Sequence, residues 1–140
     1  MSQVVSPVVA YALAFALAGA ICTVGVRRAR RVEDADTRHG LVALLATSGS
    51  WAIAHAVLLV IPSTELKTTV YLVGLIFGFS TVFAWLYFCS AYTGRTYHRR
   101  TAYRRAAIGL YLLVVGVKVT NPIHHLYFTT ALVADPFPHL

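Results

Sequence analysis

The sequence predicts an all-α membrane protein: four transmembrane helices in an up-down bundle, with the N-terminus outside. Three observations carry this expectation. Of the 140 residues, 58% are hydrophobic and only 12% charged, whereas soluble domains carry about a quarter. The apolar residues gather into four runs, at 4–26, 40–61, 68–92 and 106–120. Of the 12 Lys and Arg residues, 10 fall in two short connections, 27–39 and 93–105. That asymmetry is expected of inner loops held on the cytoplasmic side of an inner or plasma membrane. A single membrane domain, 1–140, would then cross four times and leave 121–140 as an external tail. The same topology accounts for the net charge of +7, so nucleic acid is not an expected partner.

The first run has 23 residues, enough at 1.5 Å per residue to cross about 30 Å of hydrocarbon. No cation precedes it and an arginine cluster follows, so it reads as a retained span rather than a signal peptide. Alanines at 10, 14 and 18, and again at 12, 16 and 20, recur every four residues beside Gly19. Small residues at that spacing let another helix approach, although Ala is equally a tolerated apolar residue. Cys22, like Cys89 further on, lies within an apolar run and reads as a small apolar side chain. The loop 27–39 sets five arginines against Glu33, Asp34 and Asp36. It reads as a solvated, partly self-neutralised segment, with anionic-lipid binding as the functional alternative.

The second run ends at Pro62-Ser63 and holds Ser48, Trp51 and His55 at i, i+3 and i+7, one face of a helix. An ionisable side chain at membrane depth is a functional candidate; a neutral imidazole bonding a neighbouring helix accounts for it equally well. The third run contains the GxxxG pair Gly74 and Gly78, a close-packing signal. Its face continues through Thr81, Trp85, Phe88 and Tyr92. By depth, His55 is expected over the Gly74/Gly78 notch, with Trp51, His55, Thr81 and Trp85 lining a pocket between the second and third spans.

The run 106–120 is short for a span, at about 22 Å, and Lys118 near its outer end is expected to snorkel to the interface. Asn121-Pro122 signals a turn. The adjacent His124 and His125 point apart and lack a nearby Cys or carboxylate, so no metal site is expected. Nowhere is there a phosphate loop, a nucleophile elbow or a pair of intramembrane carboxylates. No enzyme activity and no cofactor are therefore expected.

Trp51-Ala52, then Trp85 followed by Ala91-Tyr92-Thr93-Gly94, then Thr120-Asn121 with His124-His125-Leu126-Tyr127 form an ordered set. In order and spacing it resembles the N-terminal seven-transmembrane sensor region of prokaryotic histidine kinases. The resemblance runs from about Val8 to Phe128. It implies a membrane region of a two-component system that receives a signal and passes it to cytoplasmic kinase modules. Trp51, Trp85, Tyr92, Asn121 and His124 would be the positions shaping the sensing fold. Four spans are counted where that family has seven, and no phosphoacceptor or ATP-binding segment is present, so no kinase output of its own is expected. The implied partners are the bilayer, a separate kinase or remaining transmembrane half, and a second copy of the chain. The alternatives are a small four-helix transporter or a structural membrane subunit. Transport is disfavoured because both glutamates lie in loops and only His55 titrates at depth.

Overall fold

A computed structural model describes residues 7–125. Among the described residues the chain is all-helical. Four long helices, α1 (Pro7–Ala29), α2 (Ala35–Val60), α3 (Thr64–Tyr92) and α4 (Thr101–Val119), are followed by the single turn α5 (Asn121–His124). A 3-10 turn, Tyr97–Arg99, lies between α3 and α4.

The helices outrun the apolar stretches that predict them. α1 carries Arg27 and Arg28 in its last turn, α2 begins five residues before Gly40, and α4 takes in Arg104 and Arg105. The connection between α1 and α2 is accordingly shorter than the loop 27–39. Backbone hydrogen bonds explain the extension: a helix continues past the hydrocarbon until a cap stops it. Asp34 caps α2 by accepting from the Thr37 N–H at 2.7 Å. Pro62 ends α2 by forcing Ile61 into extended backbone, and Ser63 caps α3. Gly94 closes α3 in the left-handed region, at φ 68°, where a side chain would be strained. Of the segments expected outside the spans, 126–140 lies outside the described residues, and Asn121-Pro122 opens a helical turn.

α2 is the centre of the assembly, packed against α1 on one side and α3 on the other; of the long helices, α4 meets α3 alone, and it also touches the 3-10 turn and α5. Everything fully buried on α2 and α3 is small: Gly40, Gly49 and Ala52 on the first, Gly74, Ala84 and Ser90 on the second. Large apolar residues such as Leu13, Leu17 and Ile21 face outward. This is the arrangement of helices in lipid, where tails are as apolar as Leu and contact is gained by backbones approaching closely. Three helices, α1, α2 and α3, are long and apolar enough to cross a membrane.

The close approaches fix two antiparallel registers. Between α1 and α2, a Cβ on Gly49 would stand 2.8 Å from the Cys22 Cβ, and one on Gly19 2.7 Å from Ile53. Between α2 and α3, a Cβ on Gly40 would stand 2.7 Å from the Phe88 Cα. The alanine repeats do not make the α1 contact: Ala10, Ala14, Ala16, Ala18 and Ala20 are exposed, and only Ala12 is half-buried. Gly19 and Cys22 turn towards α2 instead, because a glycine admits the opposing backbone more closely than an alanine does.

Candidate functional site

The first group of interest lies at mid-helix, where α1, α2 and α3 come together. Trp51 and His55 are one turn apart on α2, with ring centroids 4.4 Å apart. Phe15 of α1 closes the group, 5.8 Å from Trp51 and 5.4 Å from His55. Opposite them α3 supplies its two glycines. A Cβ on Gly78 would lie 3.1 Å from the Trp51 indole, and one on Gly74 3.4 Å from the His55 ring. The His55 Nδ1 is 3.0 Å from the Trp51 carbonyl, so this nitrogen carries the proton if the contact is a hydrogen bond.

This arrangement alters the pocket expected between α2 and α3. Trp51 and His55 fill the notch over Gly78 and Gly74 rather than lining a space beside it. Thr81 spends its hydroxyl on the Phe77 carbonyl at 3.0 Å, the usual back-bond of a helical threonine. Trp85 stands 53% exposed, about 10 Å along α3 from Gly78. Tyr92, 71% exposed, stacks on Phe88. Asn121 is fully buried at the start of α5, and His124 Nε2 meets the Thr120 hydroxyl at 3.0 Å. Of the seven positions singled out as sensing candidates, the structure brings together Trp51 and His55.

Two side chains of the fourth helix reach α3 in the described structure. The Tyr111 hydroxyl bonds Ser80 at 2.8 Å while its ring stacks on Phe79. Lys118 does not snorkel outward. It is buried at 3% exposure and directs its ammonium to the Leu75 carbonyl at 3.3 Å and over the Phe79 ring at 5.3 Å. A carbonyl dipole and an aromatic face together offer the cation what the interface would otherwise supply.

A second group lies at the arginine-bearing end and was not foreseen from spacing. Asp36, in the first turn of α2, is shared by residues of the α3–α4 connection. Arg99 donates to its Oδ2 from Nε at 2.8 Å and also from Nη2. His98 Nε2 stands 3.1 Å from the same oxygen, and the Tyr87 hydroxyl reaches Oδ1 at 3.4 Å. The Arg99 guanidinium and then the His98 contact hold the Asp36 carboxyl down at about 2. The hydrogen bond from Thr37 lowers Asp34 as well, but that residue serves as a cap.

His98 is the pivot of this cluster. Its side chain is 6% exposed, its ring lies 4.9 Å from Tyr87, and both nitrogens have partners. Nδ1 is 2.9 Å from the Ser90 Oγ, which also lies 3.2 Å from the Arg95 carbonyl. If Ser90 gives its proton to Arg95, both ring nitrogens must donate and His98 is an imidazolium. If Ser90 gives it to Nδ1, a neutral ring still donates from Nε2 to Asp36. Either state keeps the connection tied to α2. Sequence reasoning missed the cluster because Asp36 and Arg99 are 63 positions apart. The available signal was weak: one carboxylate at a helix start, and one histidine inside an arginine run.

Two open grooves flank these contacts. One, of about 820 Å³, runs between α3 and α4 from Ser80 and Tyr111 to Arg95 and Arg104. The other, of about 310 Å³, lies between α1 and α2 near Arg27 and Arg30.

No curated protein and no solved structure matches the chain. The sequence model of one family, described as the N-terminal 7TM region of histidine kinase, matches residues 8–139, nearly the whole length. Three apolar helices packed through small residues, with arginines gathered at one end, agree with that match. The chain therefore belongs to the family of N-terminal seven-transmembrane regions of histidine kinases.

Proposed function

We propose that this chain is the signal-receiving part of a two-component sensor in an inner or plasma membrane, and that it passes its signal on by moving its inner loops rather than by chemistry of its own. The family match over 8–139 is the observation that carries this reading. In it, α4 is the fourth span, the N-terminus is outside, and both arginine-bearing connections face the cytoplasm. The shared position of Asp36, His98 and Arg99 supports placing those connections on one side. A signal acting at Phe15, Trp51 and His55 would tilt α2 against the Gly74/Gly78 face. Asp36 would carry that movement to the α3–α4 connection. The kinase modules are supplied by sequence beyond the spans counted here or by a separate chain.

The experiment is to isolate the full chain from native membranes and assay for ATP-dependent, acid-labile phosphorylation. Kinase activity that accompanies the chain, and whose rate changes with Asp36→Asn, is the expected result. An isolate with no histidine phosphorylation would remove the sensor reading. Orientation is tested separately with single cysteines on a Cys22→Ser/Cys89→Ser background. A membrane-impermeant maleimide should label Ser63→Cys on intact cells and leave Arg31→Cys unlabelled; the reverse pattern would invert the topology.

A further inference from the structure

We infer that the groove between α3 and α4 is a binding site for an anionic phospholipid, with the acyl chain between the helices and the phosphate held at Arg95 and Arg104. The walls are apolar: Phe83, Leu86 and Ile108 line the groove, and the hydrogen bond between Ser80 and Tyr111 lies at its far end. From Ser80 to Thr93 is roughly 20 Å of helix, close to the depth of one leaflet of a bilayer about 40–45 Å thick with its headgroups. The cavity therefore has the length of a lipid chain that enters from the arginine end.

The chemistry of the mouth selects the headgroup. Arg95 and Arg104 line it together with Tyr97 and Tyr103, and no carboxylate is among the lining residues. Arg95 is steadied by the Tyr97 hydroxyl at 3.5 Å. The nearest acid, Asp36, is engaged by Arg99 and His98 and does not neutralise this pair. Two guanidiniums at headgroup level, above an apolar slot between helices, match a phosphodiester with its tail. The volume of about 820 Å³ falls within the usual range of ligand sites, about 300–1,000 Å³. Occupancy would wedge α4 against α3 directly beside His98, so lipid composition would bear on the position of the inner connection.

This inference rests on α4 lying in the bilayer beside α3, as proposed above; lipid retention and cysteine labelling fail independently. The test uses the full chain relipidated in phosphatidylcholine vesicles with or without phosphatidylglycerol, then extracted and analysed by native mass spectrometry. Wild-type chain is expected to retain phosphatidylglycerol over phosphatidylcholine. Arg95→Gln/Arg104→Gln should lower that retention by about tenfold or more, whereas Arg28→Gln/Arg31→Gln, with the same loss of charge elsewhere, should change it by less than about twofold. Ala107→Trp, which fills the slot and keeps every arginine, should also abolish retention. Equal retention of the two lipids by wild-type chain would overturn the site, as would an equal loss in the Arg28/Arg31 variant. Thermal stabilisation by inorganic phosphate as large as that by the lipid would show a free anion instead. Disulfide-linked dimers of an Ile108→Cys variant in the same vesicles would show that a second copy fills the groove.

Discussion

At mid-helix, α2 meets α3 through rings set over glycines: Trp51 on Gly78 and His55 beside Gly74. At its N-terminal end, α2 meets the α3–α4 connection through one carboxylate, Asp36, shared by His98 and Arg99. Shape holds the first contact, each ring seated over a glycine of the facing helix. Charge and hydrogen bonding hold the second, where the Arg99 side chain is 68% exposed. The comparison teaches where such a molecule can switch. A steric contact of rings over glycines shifts as a packed unit, since lipid offers it no polar partner to exchange. A polar tie at the membrane surface can be exchanged for water or headgroup and is suited to opening and closing.

Four substitutions or conditions should act differently on the two regions. The largest effect is expected at Gly40, where the opposing atom is the Phe88 backbone and cannot yield. Gly40→Leu should destabilise the chain by about 3 kcal/mol, read by unfolding in detergent. Trp51→Ala empties the notch over Gly78. Because Trp51 is 37% exposed, the cost should be about 2 kcal/mol, below that of a fully buried Trp. Acid in the carboxylate range should act on the polar end. Asp36 is held at about 2 against an ordinary 3.8, so its contribution is fully present above about pH 4 and is lost as pH falls towards 2. Amide exchange at 97–100 should rise over that interval while exchange at 51–55 does not, and Asp36→Asn should erase the difference. The smallest effect is expected at Ala14, exposed on α1, where Ala14→Leu should stay within about 0.5 kcal/mol. A large loss there would mean that the outward alanine face carries a contact of its own.

Much of the steric region was legible in the sequence. Apolar runs marked α1, α2 and α3, Pro62-Ser63 marked the end of α2, and Gly74 and Gly78 marked the face on which α2 rests. What periodicity could not give was direction. Both Gly19 and the alanine repeats are small, and only the register with Gly49 selects one of them. Lys118 could turn outward to the interface or inward to Phe79, and the Leu75 carbonyl decided it. The Asp36 cluster was illegible for a different reason. Its members come from α2, from α3 and from the following turn, and no local spacing joins a helix start to a histidine 62 positions later. Ser90, hidden in an apolar run, gave no sign that it would anchor His98.

The most direct test of the account is the coupling between Asp36 and Arg99, measured by hydrogen exchange at 97–100 in the reconstituted chain. Wild type, Asp36→Asn, Arg99→Gln and the double variant complete the cycle. If the carboxylate and the guanidinium form the tie, either single change should raise exchange there, and the double variant should add little to it. Additive increases, or singles that leave exchange at the wild-type rate, would mean that something other than Asp36 holds the α3–α4 connection to α2.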